Sequence, residues 1–130
     1  MARKRPFESL DLLKAGPEEI VRKSENNAKI WKLDYRDISM TQVRKFFSEV
    51  KRIDLKKTSM NEEDIKRELI YLKPTLAYQA GRIHFSNKAF FKHMIDNIDN
   101  ILKDFSKEKF SKFLKYIESM ISFYKFEGGK

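Results

Sequence analysis

Five cations recur on one face of the stretch between Ser39 and Lys57, namely Arg44, Lys45, Lys51, Arg52 and Lys56. With each residue turned by about 100° they gather opposite the apolar stripe Val43, Phe46, Phe47, Val50 and Ile53, and Glu49 stands at their edge. Such a stripe can track the phosphates of a nucleic acid, positioning a backbone without reading bases. A solvated lysine-rich helix face has the same pattern, so spacing alone leaves both readings open. A second group surrounds Pro74, where Lys73 and Arg82 bracket the segment and Tyr78 lies between them. An aromatic ring among cations suits stacking on unpaired bases or ribose. The ordinary fate of such a tyrosine is core packing with its hydroxyl at the edge. Arg82 suits a phosphate equally well as the dipole at a helix C-terminus. A kinked core helix with solvated charges accounts for the whole segment in the absence of a ligand.

No comparable case exists for catalysis. His84 and His93 are the two histidines, and a di-metal site in a bundle needs paired Glu-x-x-His units. Gly81 and Phe90 occupy the positions three before them. His93 and Asp96 share a helix face, which reads as a surface ion pair. The chain has no cysteine, which excludes thiolate chemistry and disulfides and suits a reducing compartment. It has neither a phosphate-cradling glycine loop nor a Gly-x-Ser-x-Gly elbow. The expectation is a protein that is not an enzyme and takes neither a cofactor nor a metal.

With 28 Lys and Arg against 19 Asp and Glu the net charge is +9, which favours polyanionic partners through counterion release. The basic start Arg3-Lys4-Arg5 is not followed by an apolar run, and no stretch reaches membrane-spanning length. A soluble cytoplasmic protein without a membrane partner is expected.

The elements that must carry these residues read as helices. Residues 1–16 are expected to be a flexible basic arm ended by Gly16-Pro17, and residues 17–130 one helical domain. Pro17 suits a first helical turn, with Glu18 and Glu19 near the positive dipole end. Apolar content is thin over 18–29, and Ile30 to Ile38 reads as an apolar connection lying on the core. Ser39 with Gln42 has the capping-box pattern. Asn61 suits the start of the next helix, which carries Ile65, Leu69 and Leu72. That helix breaks or kinks at Pro74 and stops near Gly81, where a left-handed cap belongs. Ser86 starts a helix with Phe90, Phe91, Met94, Ile95, Ile98, Ile101 and Leu102. Ser106 starts the last, with Phe110, Phe113, Leu114, Ile117, Ile121 and Tyr124, ending at Gly128-Gly129. The fold class is all-α, a compact bundle of about five helices.

Three blocks of this chain also carry a family resemblance. They are Leu72-Lys73-Pro74 with Leu76-Ala77-Tyr78 and Gly81-Arg82; the C-terminal set Phe110, Phe113, Glu118, Tyr124, Lys125, Phe126, Gly128 and Gly129; and the run Ile38 to Ile53. Together, in order, they resemble the small α-helical subunit of type III-A CRISPR effector complexes, from Ile38 to the C-terminus. Ser119 stands where that family often has alanine. Residues 1–37 carry no part of the resemblance.

The resemblance implies a noncatalytic subunit of a ribonucleoprotein. Its copies would associate along a filament beside the backbone subunits, near the large subunit, facing guide RNA and target RNA. On that reading Arg44, Lys45, Lys51, Arg52, Lys73 and Arg82 meet RNA phosphate, and Tyr78 is a further RNA-binding candidate. Two other classes fit the residues alone: a helical protein-interaction module docking through an apolar face, and a helical DNA-binding protein.

Overall fold

The computed structural model describes residues 4–82 and 85–129, apart from the side chains of Arg82, Phe85 and Ser86. Five helices follow in order: α1 (Pro17–Asp34), α2 (Met40–Lys56), α3 (Glu62–Arg82), α4 (Phe85–Leu102) and α5 (Lys107–Phe126). The described residues include no strand. α1 packs chiefly on α5 and α3 chiefly on α4. α2 lies more thinly across α3 and α5, and α4 meets α5.

Local chemistry sets most helix starts. Ser39 Oγ accepts from the Gln42 N–H at 3.3 Å. The reciprocal half of that box is taken over by Asn87, whose Oδ1 accepts the Ser39 N–H at 2.9 Å and ties α4 to the entry of α2. Asn61 and Asp64 cap α3 reciprocally, with the Asp64 N–H donating to Asn61 Oδ1 at 2.8 Å. Ser106 Oγ accepts from the Lys109 N–H at 3.2 Å to start α5. The start expected at Ser86 lies outside the described side chains.

Each helix then buries its apolar stripe. Val43, Phe46, Val50 and Ile53 of α2 meet Ile65, Leu69, Leu72 and Leu76 of α3. From α4 and α5 come Phe90, Phe91, Met94, Ile98, Phe110, Phe113 and Ile117. Phe46, Phe90, Phe91 and Phe113 form edge-on ring contacts with centroids 5.3–6.5 Å apart. That is the geometry the ring quadrupole prefers.

Four expectations need correction. α1 does not stop before Ile30 but continues to Asp34, so Ile30, Trp31 and Leu33 are its last turns and not a connection. The apolar pattern misses this because the buried face of α1 is partly polar. Ser24 and Asn27 are fully buried beside Ala28. Ser24 Oγ donates to the Val21 carbonyl at 2.8 Å. Asn27 is held by the chain before α1: its Oδ1 accepts the Glu8 N–H at 2.7 Å, and its Nδ2 donates to the Glu8 carbonyl at 3.0 Å.

That interaction belongs to the second correction. The stretch 5–15, expected as a flexible arm, is laid over α1 and α4. Leu12 is fully buried, and its N–H donates to Asn100 Oδ1 at 2.7 Å. Phe7 stacks on Tyr35 with centroids 4.9 Å apart, and the Tyr35 hydroxyl donates to the Arg5 carbonyl at 2.7 Å. Arg5 closes the strap on Asp34 at 2.8 Å, and that hydrogen bond holds the Asp34 carboxyl below its ordinary range. Phe7, Leu10 and Leu12 follow at intervals of three and two and do not sustain one helical or strand period, so period-based reading passes over them.

Third, α3 runs through Pro74 without a break, and its end at Arg82 agrees with the expected stop near Gly81. The proline removes one donor, at a cost of about 3 kcal/mol. Burying Leu76 completely returns about 1.5–3 kcal/mol, and Ala80 continues the same stripe. Packing therefore carries the helix across. Gly81 consequently lies inside α3 and is not a left-handed cap; a Cβ there would meet nothing within 4 Å.

Fourth, His93 is a core residue, only 8% exposed, and not part of a surface pair; Asp96 binds Lys92 instead. His93 Nε2 accepts from the Tyr116 hydroxyl at 2.6 Å and lies 3.3 Å from Asn97 Nδ2. Asn27 Nδ2 in turn donates to the Tyr116 oxygen at 2.7 Å. Two donors converge on Nε2, so the ring is neutral with its proton on Nδ1. Burial pushes the His93 pKa down to about 4, and burial raises that of Tyr116.

The double glycine closes α5 as a Schellman cap. The Gly129 N–H donates to the Tyr124 carbonyl at 2.9 Å, the Gly128 N–H donates to that of Lys125 at 3.0 Å, and Gly128 has φ of +93°. The Tyr124 ring is pressed flat on Trp31, centroids 3.7 Å apart, and a Cβ at Gly129 would run into that ring. The cap therefore locks α5 to α1 at the Trp31 end.

Two predictions come from this packing. Gly129→Ala should lower stability by about 1–3 kcal/mol through overpacking, whereas Gly81→Ala should raise it by about 0.5–1 kcal/mol, both read from urea midpoints. His93 binds its proton in the unfolded chain near pH 6.5 but in the folded protein only near pH 4. Its contribution, about 3 kcal/mol, is therefore fully present above pH 6.5 and lost as pH falls through that window. Urea midpoints should drop between pH 6.5 and 5, and His93→Gln should flatten that slope.

Candidate nucleic-acid interface

The cations singled out by sequence divide according to what each side chain holds. Arg44 and Lys45 lie in the first turns of α2, both exposed, and neither enters an ion pair among the described residues. Lys51 and Arg52 stand further along the helix and are committed. Lys51 Nζ lies 3.5 Å from Glu118 of α5. Arg52 holds Glu49 at 3.0 Å and reaches Glu68 of α3 at 3.9 Å. The Glu49 hydrogen bond raises the Arg52 pKa. These exposed pairs are worth up to about 1 kcal/mol each. Their larger effect is to cancel charge on the flanks where α2 meets its neighbours. Lys56, at the end of the stripe, is exposed and outside any ion pair among the described residues.

The residues around Pro74 fall on other faces. Lys73 pairs with Asp99 of α4, on the side of α3 away from α2. Tyr78 is 66% exposed on the outer face of α3, so core packing is not its role. The side chain of Arg82, together with His84 and Arg3, lies outside the described residues. The structure thus brings together Arg44, Lys45, Lys51 and Arg52 on α2 and separates them from Lys73 and Tyr78.

Between α2 and α3 runs a groove of about 680 Å³, lined by Thr41, Arg44, Lys45, Ser48, Thr75 and Gln79, among others. Phe46, Leu72 and Leu76 also line it. It exists because α2 packs thinly on α3 and the facing residues Thr41, Ser48 and Thr75 are short. Gln79 Oε1 is buried without a hydrogen-bond partner. Of the polar lining only Arg44 and Lys45 were singled out from sequence as contact residues; Thr41, Ser48, Thr75 and Gln79 were not. The available signal was Gln79, which continues the stripe Leu72 and Leu76 at helical spacing and so places an amide where an apolar residue belongs. Lys115 was also passed over; it is exposed on α5, three residues from Glu118, without an ion pair among the described residues.

Other chemistry finds little support in the geometry. Among the described residues no three His, Cys, Asp or Glu side chains group as metal ligands, and no helix is long and apolar enough to cross a membrane. The one cluster of strongly perturbed groups among them, His93 and Tyr116, is spent on holding α1, α4 and α5 together.

A family model described as Csm2 Type III-A matches residues 14–130, which carries the likeness past Ile38 across α1 and the end of the strap. The CRISPR system Cms protein Csm2 of Enterococcus italicus is 35% identical over 65 residues, 49% of this chain. The aligned part spans about half, 46%, of that relative's length. On the strength of a match across most of its length, the chain belongs to the Csm2 family of type III-A CRISPR small subunits.

Proposed function

We propose that this chain is a noncatalytic RNA-binding subunit of a type III-A CRISPR ribonucleoprotein, gripping the backbone of guide or target RNA with the α2 face. The single observation that carries this is the state of Arg44 and Lys45. They are exposed, without ion pairs among the described residues, and adjacent on one helix of a chain with net charge +9. A cation already holding a carboxylate must give up that partner before taking a phosphate, so Arg44 and Lys45 contribute most. Lys51, Arg52 and Lys73 contribute after exchange of Glu118, Glu49 or Asp99. Lys56 and Lys115 extend the positive surface on either side. Arg82 remains a candidate through its sequence position, and Tyr78, exposed on α3, as a stacking platform.

The outer face of α3 supports the bridging part of the role. Ile70, Tyr71 and Tyr78 are 45%, 70% and 66% exposed there. Apolar surface of this kind suits a neighbouring subunit of the same particle, whether backbone, large subunit or another copy. RNA cleavage and other chemistry would then belong to those neighbours, and the site of action is the cytoplasm.

The test is a salt series of RNA binding by the assembled particle. Arg44→Ala with Lys45→Ala should weaken binding and reduce the slope of log K against log salt by about two, one for each phosphate that is no longer neutralised. Lys73→Ala should change that slope by less than about one. A double variant that keeps the wild-type affinity and slope contradicts the assignment. Arg52→Ala should cost no more than about 1 kcal/mol of stability, which separates folding effects from binding.

A further inference from the structure

We infer that the shallow groove between the outer faces of α3 and α4 receives a helix of a different subunit, apolar along its length and carrying a carboxylate near each end. This rests on the subunit reading above and names the chemistry of the neighbour. The groove holds about 350 Å³ and is lined by Ile70, Lys73, Pro74, Ala77 and Ile95. Its apolar groups are presented to solvent: Ile70 is 45% exposed, Pro74 and Ala77 are exposed, and Ile95 is half-buried. Lys73 is neutralised by Asp99. In a chain that is 36% charged, the exposed positions of α3 from Ile70 to Gly81 carry no charge at all. A contiguous apolar strip of this kind marks a surface that another protein covers. Pro74, Ala77 and Gly81 are small, and a Cβ at Gly81 would stand in open space, so a helix can approach closely.

Charge at the two ends decides the occupant. Lys73 beside Asp99 and Ala77 beside Ile95 set α3 and α4 antiparallel. Lys88 lies seven residues before Ile95 on the same face of α4, and so stands level with the end of α3. Lys66 borders the other end, about 27 Å away at 1.5 Å per residue. Neither lysine enters an ion pair among the described residues, whereas Lys73 and Lys92 between them are held by Asp99 and Asp96. Glu63 lies beyond the groove, one turn before Lys66. The groove is thus neutral and apolar in its middle and positive at its ends. A second copy related by a twofold axis would set Lys66 against Lys88 of the other copy twice, and like charge opposes that arrangement. An RNA strand would lay several phosphates over the middle, where they meet apolar groups and cations already holding carboxylates. A helix with one apolar face and an Asp or Glu near each end, about eighteen residues apart, meets every feature.

The test is photocrosslinking in the assembled particle, with p-benzoylphenylalanine in place of Ile70 and mass spectrometry of the joined peptides. The expected crosslink is to another subunit, in a helical segment with Asp or Glu flanking an apolar stretch. Crosslinks to RNA, to a second copy of this chain or to a basic segment overturn the inference. So does a particle that contains the chain and yields no crosslink. Lys66→Glu with Lys88→Glu should lower incorporation about tenfold in competition with the wild type, through the loss of two exposed ion pairs. Circular dichroism of the free variant should match the wild type, which separates docking from folding. If the double variant is incorporated as the wild type is, and its particles still capture RNA, the groove inference fails alone. If particles lacking the chain assemble and capture RNA equally well, the subunit reading fails with it.

Discussion

The hydrogen-bond chain Glu8–Asn27–Tyr116–His93 is the constraint on which this structure depends. It joins four segments, the N-terminal strap, α1, α5 and α4, through one buried line of polar groups. Each member alone would oppose folding, because an unpaired polar group in the core costs about 1–3 kcal/mol. Satisfied together they let α1 pack on α5 with Ser24 and Asn27 on its inner face. They also fix a protonation state, since a neutral His93 is the one that can accept from Tyr116. At the other end of α1 the Trp31–Tyr124 stack and the Gly128-Gly129 cap repeat the attachment by packing.

This firm half of the molecule contrasts with the loosely seated α2. α2 rests thinly on α3 and α5 and is braced by ion pairs at its flanks, Lys51 with Glu118 and Arg52 with Glu68. Those pairs hold the helix at the right distance to leave a groove, and they remove charge from the surfaces they span. What remains positive among the described residues is the entrance, Arg44 and Lys45, and the far end of the stripe at Lys56. The division between spent and available cations is therefore a product of the fold, and helical periodicity alone treats all five as equivalent.

Much of the fold is legible in the sequence where one stripe of apolar residues and one capping residue agree, as in α2 from Ser39, α3 from Asn61 and α5 from Ser106. It is illegible where a tertiary partner substitutes for local signal. The inner face of α1 is polar because Glu8 and Tyr116 satisfy Asn27, and neither is a sequence neighbour. Pro74 is tolerated because Leu76 and Ala80 stay buried beyond it. The strap 5–15 has no period at all and is held by Asn27, Asn100 and Tyr35. At the candidate site, the cationic face of α2 was legible, whereas the commitment of Lys51, Arg52 and Lys73 to carboxylates on other parts of the fold was not. The groove residues Thr41, Thr75 and Gln79 come together only when α2 and α3 are set side by side.

The most direct measurement of the central claim is amine-reactive acetylation of the assembled particle, with and without target RNA, read at each lysine by mass spectrometry. The account predicts that Lys45 loses reactivity when RNA is added, while Lys66 and Lys88 on other faces label equally in both states. Equal labelling of Lys45 with and without RNA, in particles shown to have captured the strand, would contradict it.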